Sequence, residues 1–149
     1  MLEEYIKQEY IKLNVECSTW EESIQKAGQI LLENEIVTNQ YIEESIRSAK
    51  QLGGSYIVIT KGVAIPHVTS HVGVEKNGVS IITLKNPIEF GNKENDPVKI
   101  VFMLATLDME SHINVLSKIS NLLSQSEFFE ILKNSKDTKS IIKYINENN

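Results

Sequence analysis

Tyr56-Ile57-Val58-Ile59-Thr60-Lys61-Gly62-Val63-Ala64-Ile65-Pro66-His67 is the stretch where the chain changes its period. Before it, apolar residues recur at helical spacing. From Tyr56 onward they come in short β-branched runs, the mark of strands. Tyr56-Ile57-Val58-Ile59 is continuously apolar and predicts a strand buried on both faces. Lys61-Gly62 predicts a turn. Val63-Ala64-Ile65 is a short extended piece, because Pro66 disfavours helix at the residue before it. His67 then stands in a loop after a strand, where a sheet displays functional groups. Gly62 permits an unusual backbone turn, while Pro66 removes a donor and stiffens the approach. Together they suit a side chain held in one orientation.

Upstream, residues 2–8 predict a short helix and Tyr10–Val15 a strand. Ser18 with Glu21 three residues later has the form of a capping box, opening a helix from Thr19 to about Glu33. Trp20, Ile24, Ala27, Ile30 and Leu31 share one face of it. A second helix, Asn39 to Leu52, carries Tyr41, Ile42, Ser45, Ile46 and Ala49 at the same spacing and ends at Gly53-Gly54. Downstream, Val79–Leu84 predicts a strand, Asn86-Pro87 a turn, Asn92–Asp96 a polar loop and Val98–Leu104 a central strand. Asp108 predicts the cap of a helix whose inner face is Ile113, Leu116, Ile119, Leu122 and Leu123. Shorter helices follow near Glu127–Leu132 and Thr138–Ile145, then a frayed tail, Asn146–Asn149. Helices packed on a mostly buried sheet define a single α/β domain over residues 1–149, a mixed β-sheet flanked by helices.

The totals narrow the function classes. A chain of 149 residues with 41% apolar residues has enough for one core. The net charge of -5 argues against a nucleic-acid partner, which needs a basic face. Arg47 is the sole arginine, so an arginine cluster for phosphate recognition is excluded. Cys17 is the sole cysteine, so no internal disulfide forms and a reducing compartment is expected. Met1-Leu2-Glu3-Glu4 lacks the apolar run of a secretory signal, and no window has the ~18 apolar residues of a membrane span. A cytoplasmic protein is expected.

Three histidines carry the candidate chemistry: His67, His71 and His112. His112 lies in the first turn of the helix capped by Asp108. Main-chain N–H groups there lack intrahelical partners and the helix dipole favours an anion. Ser111 adds a hydroxyl. If His67 approaches this helix start, the space between suits a phosphate. The competing reading of His112 is a solvated rim residue. His71, four residues after His67, would share a face with it only on a helix, and Val68 and Thr69 are poor helix formers. His71 therefore reads as a solvated loop residue, with a three-histidine metal site as the other possibility. Cys17 precedes a helix, but Glu21 and Glu22 would repel a phosphate there, and it reads as a small packed residue.

The sequence resembles the enzyme IIA component of the bacterial sugar phosphotransferase system, of the mannitol–fructose structural type. Gly62-Val63-Ala64-Ile65-Pro66-His67 is similar to that family's phosphorylation-site motif. Ser111-His112-Ile113, with Leu116 and Leu122-Leu123, is similar to its second histidine and the helix that bears it. Gly54–Ile59, Pro87–Gly91 and Pro97-Val98-Lys99 look closest to the ascorbate-type branch. Thr69 stands where that branch tends to have an arginine, and Ser48 beside Arg47 where the mannitol branch has one. The resemblance implies a phosphotransferase relay without a cofactor. A histidine-containing phosphocarrier protein phosphorylates His67, which passes the group to a cysteine of a IIB component, serving uptake through a membrane IIC permease. His67 and His112 are then the catalytic residues, with Thr69 and Ser111 binding the phosphate. Partners are expected on apolar surface at Val68 and Val72, with Ile65 contributing. A regulatory IIA-like phosphoprotein and a metal-binding domain are the alternative readings.

Overall fold

In the computed structural model, which describes residues 2–148, five strands form one mixed sheet in the order β1-β4-β5-β3-β2. The strands are β1 (Ile11–Val15), β2 (Val58–Thr60), β3 (Val63–Ala64), β4 (Gly78–Ile88) and β5 (Val98–Ala105). β1 runs parallel to β4 and β3 parallel to β5. The β4–β5 and β2–β3 pairs are antiparallel. The helices are α1 (Trp20–Glu33), α2 (Asn39–Leu52), α3 (Met109–Leu123), α4 (Ser126–Asn134) and α5 (Thr138–Asn148).

β5 lies at the centre because it can be buried on both faces. Val101, Met103 and Ala105 join the core under α1 and α2, while Ile100, Phe102 and Leu104 join the core under α3, α4 and α5. Strand alternation thus divides one apolar run between two cores. β4 does the same: Ile82 and Leu84 face α1, with Ser80 donating to the Ala27 carbonyl at 2.8 Å, and Val79 and Ile81 face the other way. The result is a three-layer α/β sandwich, with both helix layers held by this central pair. The expected α/β class, the central strand at Val98–Leu104 and the polar loop before it are all present. Asp96 organises that loop, its carboxylate accepting from the Phe90, Gly91 and Asn92 N–H groups.

Several local expectations are corrected. The cap of α1 is Thr19, not Ser18: its hydroxyl accepts from the Glu22 N–H at 3.1 Å, and the Glu22 carboxylate accepts from the Ser18 N–H. The box pairs Thr19 with Glu22, one position later than the pattern suggested. Residues 2–8 form a short 3-10 turn, Leu2–Glu4, and a second such turn spans Gln8–Tyr10. Tyr56–Ile59 is not a strand buried on both faces. Gly54–Ile57 is a 3-10 turn, and β2 begins only at Val58. Tyr56, in the 3-10 turn, and Ile59, in the edge strand β2, are both exposed. Asn86-Pro87 does not turn the chain. β4 runs through it, and the pairing with β5 shifts between Thr83 and Ile88, where proline offers no N–H. In α3 the buried stripe is His112, Val115, Ile119 and Leu122, so Ile113 points outward at 59% exposure, and Leu116 and Leu123 are only partly covered. α5 continues to Asn148 where a frayed tail was expected. Asn149, the last residue of that tail, lies outside the described residues.

Candidate functional site

The site forms where β3 and β5 run out side by side. β3 is two residues long, and the chain leaves it through Ile65 and Pro66. Gly62, at the tight turn into β3, takes φ +78, the left-handed region that glycine enters at little cost. Its carbonyl accepts from Lys99 and Ile100 of β5, which fixes the start of the segment. The end is fixed by the Leu104 N–H, which donates to the Pro66 carbonyl at 3.1 Å. His67 therefore emerges from a backbone clamped at both ends to the most buried strand. It is half-buried.

His67 Nδ1 lies 2.7 Å from the carbonyl oxygen of Ile65. A carbonyl only accepts, so Nδ1 donates and carries the hydrogen. In the neutral ring Nε2 then holds the free lone pair. The short loop bond thus selects the tautomer and leaves one nucleophilic nitrogen. The carbonyl that fixes the ring, left open by the residue pattern, is that of Ile65.

His112 reaches the same place from α3. Asp108 caps the helix, its carboxylate accepting from the Ser111 N–H at 2.8 Å. The Ser111 N–H and hydroxyl together hold the Asp108 carboxyl below the usual carboxylate range. The ring centroids of His67 and His112 are 5.0 Å apart at an interplanar angle of 49°. His112 is 6% exposed, and this burial, followed by the neighbouring His67 and His71, pushes its imidazole below the ordinary histidine value. It is a buried, preferentially neutral partner rather than a solvated rim residue. Ser111, expected to face the same space, is engaged in the cap.

A cleft of about 260 Å³ opens beside His67, lined by Glu44, Ser48, Leu52, Tyr56, His67, Val68, Thr69 and Ser70. Thr69 is exposed on its rim. Ser48, Tyr56 and Ser70 supply further hydroxyls. Glu44 places a carboxylate on the wall and engages Arg47 through both guanidinium and carboxylate faces, one contact being Arg47 Nε to Glu44 Oε2 at 3.0 Å. The sequence singles out Ser48 and Tyr56 but places neither them nor Glu44 and Leu52 beside His67. They share no motif with His67 and are joined to it by the packing of α2 on the sheet.

His71 departs from expectation. It is half-buried, takes a left-handed φ of +59, and its Nδ1 donates to the Thr106 carbonyl at 2.7 Å. It is not a solvated loop residue. Among the described residues no group of three or more His, Cys, Asp or Glu side chains is placed to hold a metal ion. Of the expected docking residues, Ile65 and Val68 are buried and belong to the two cores, while Val72 is exposed. Leu52 and Tyr56 on the cleft side, and Leu107, Met109 and Ile113 around the start of α3, are further exposed apolar residues. No helix is long and apolar enough to cross a membrane among the described residues.

An α/β sandwich with two histidines meeting at one end of its sheet is the frame of a phosphotransferase IIA domain. The solution structure of the mannitol-specific cryptic phosphotransferase enzyme IIA CmtB from Escherichia coli superposes with a TM-score of 0.84 over 98% of both chains, at 27% identity. Residues 4–148 match the model of the phosphoenolpyruvate-dependent sugar phosphotransferase system EIIA 2 family, and the chain belongs to that family. The ascorbate-specific EIIA component of Escherichia coli strain K12 is 33% identical over 140 residues, 93% of this chain and 90% of the relative. The complex of enzyme IIAMTL with phosphorylated enzyme IIBMTL from Escherichia coli shares the fold, with a TM-score of 0.83 over 95% of this chain and 97% of the other, at 24% identity. Family membership makes the chain a phosphoryl carrier of a sugar phosphotransferase system.

Proposed function

We propose that His67 Nε2 accepts a phosphoryl group from a histidine-containing phosphocarrier protein and passes it to a cysteine of a IIB component, in the cytoplasm, for the uptake of ascorbate through a IIC permease. The observation that carries this reading is the Nδ1 to Ile65 carbonyl bond, which leaves Nε2 as the one basic nitrogen of the ring. As the Nε2–P bond forms, the N–P bond of the donor breaks. The Nδ1 proton stays on the ring, held against the carbonyl. In the second transfer a cysteine thiolate attacks phosphorus, the Nε2–P bond breaks, and the neutral imidazole returns. Such chemistry asks mainly for positioning and for stabilisation of charge.

His112 supplies the second part. Before transfer its buried ring favours the neutral form. A phosphoryl dianion at 5 Å scale raises the affinity of that ring for a proton, so His112 becomes the cation or hydrogen-bond donor facing the new charge. Thr69 donates from the rim, and Ser111 is its counterpart at the helix start, sharing its donors with Asp108. The exposed apolar residues Leu52, Tyr56, Val72, Leu107, Met109 and Ile113 form the surface on which phosphocarrier and IIB dock in turn. Ascorbate as the sugar is supported by the ascorbate-specific relative, and a IIB partner by the complex of the mannitol pair.

The test is phosphoryl transfer from phosphoenolpyruvate through enzyme I and the phosphocarrier protein, followed by intact mass. One acid-labile phosphate on the wild type and none on His67→Ala is the expected result. Onward transfer to an ascorbate-type IIB protein, in preference to a mannitol-type one, supports the transport role. Phosphate uptake with no onward transfer to either would favour a regulatory phosphoprotein. No uptake at all ends the carrier reading.

A further inference from the structure

His71 is a half-buried polar group that the relay does not use. Three observations surround it. Its ring donates to the Thr106 carbonyl, 35 residues away, at the point where β5 ends and the chain turns toward the Asp108 cap. Its backbone sits in the left-handed region at φ +59, a conformation that costs a non-glycine residue free energy unless surrounding contacts hold it. The loop beyond it is tied down separately: Thr38 N–H donates to the Gly73 carbonyl at 2.8 Å, and Val74 bridges to Val37. Gly73 is itself left-handed, and a Cβ there would meet Thr38 and the Tyr41 backbone within 3 Å.

The segment between His67 and Gly73 is therefore fastened at both ends by main-chain bonds. Within it, His71 makes a side-chain tie to the strand end that precedes α3. That strand end also holds the His67 side, through Leu104 and Pro66, and continues into the helix that bears His112.

We propose that His71 is a positioning residue for the phosphoryl relay: by bonding the 67–73 loop to the β5–α3 junction at Thr106 it sets the separation of the His67 and His112 rings. The assignment rests on the carrier reading above for its effect on transfer. Its effect on ring geometry stands apart from that reading. The imidazole acts here through its Nδ1 hydrogen, so its charge is not required. Asparagine carries a donor one bond from Cγ, as histidine does, and tolerates a left-handed backbone. Glycine tolerates the backbone but has no donor. Comparing the two separates the bond from the strain.

The experiment compares wild type, His71→Gly and His71→Asn, each checked by circular dichroism and melting temperature. One arm measures the rate of phosphoryl uptake from the phosphocarrier. The other records the nitrogen-15 signals of the His67 and His112 rings in the unphosphorylated protein. The glycine variant should slow uptake roughly five- to tenfold and move the ring signals, and asparagine should return both close to wild type. A glycine variant with unchanged rate and unchanged ring signals overturns the proposal. So does an asparagine variant as impaired as glycine, which would mean the imidazole itself takes part. If the wild type accepts no phosphate, the carrier reading fails alone, and the ring signals still decide whether His71 sets the site.

Discussion

His67 has two unlike sides. Toward α3 it meets His112, a ring 6% exposed and held near neutrality by burial. Toward α2 it borders an open cleft with four hydroxyl-bearing residues, Ser48, Tyr56, Thr69 and Ser70, and the Glu44 carboxylate. Electrostatic interactions strengthen where water is excluded, so the α3 side can respond strongly to a phosphoryl charge. The α2 side is wet, and charges there act weakly and are screened by salt. On the proposed carrier reading this contrast is a division of labour: the dry side would stabilise the phosphorylated state, and the wet side would tune access to it.

The sharpest way to break that division is His112→Ala. Removing the buried imidazole on the dry side should cut the phosphoryl-transfer rate about 100-fold, read by rapid-quench mass measurement. A loss of less than about threefold would put the stabilising group elsewhere, with Thr69 first in line. Thr69→Ala, on the wet rim, should cost about threefold in the same assay.

Docking separates the sides next. Ile113→Asp places a charge on the exposed apolar surface beside His112 and should raise the KM for IIB about tenfold, with kcat little changed. Leu52→Asp does the same on the cleft side. If one variant impairs the phosphocarrier and the other IIB, the two partners use different halves of the rim.

Glu44→Gln should be milder. It removes the carboxylate that lines the cleft and speeds uptake about twofold at low salt, with the gain gone at high salt. A salt-independent gain would show that the carboxylate acts through packing or through its bond to Arg47.

The smallest effect is on stability. His112 is held below its ordinary value, so the unfolded chain binds a proton more readily than the folded one. The stability from the neutral ring is full above the unfolded value of about 6.5 and declines as the pH falls below it, toward the lower folded value. His112→Gln should remove this component. The melting temperature of the wild type should drop about 2 °C more than that of the variant between pH 7 and pH 5.5. An equal drop would assign the acid sensitivity to other groups.

Much of this molecule was legible in the chain. The run Val98–Leu104 announced a central strand, because seven residues that are apolar but for Lys99, with β-branched members among them, suit a strand in mid-sheet. Asp108 announced the start of α3 through the chemistry of its side chain, and Gly62-Val63-Ala64-Ile65-Pro66-His67 announced a histidine held by a constrained loop. The errors have physical causes. Tyr56–Ile59 looked like a strand buried on both faces because composition does not say where a run will sit: Tyr56 and Ile57 fall in the 3-10 turn, and only Val58 and Ile59 enter the edge strand β2, where Ile59 stays exposed. Ile113 looked like core because a helix offers adjacent stripes, and only the packing of α3 on the sheet selects the one through Val115.

The family resemblance implied the pairing of His67 with His112, and the sequence by itself determined the α/β class, the Asp108 cap of α3 and the Lys61-Gly62 turn ahead of β3. These rest on short-range rules, where a residue acts on neighbours a few positions away. Tertiary structure decided the rest: which carbonyl fixes the His67 tautomer, that Glu44 and Ser48 share its cleft, and that His71 reaches Thr106. Each of these depends on where separate elements come together on a common sheet, and residue spacing along the chain carries no record of that distance.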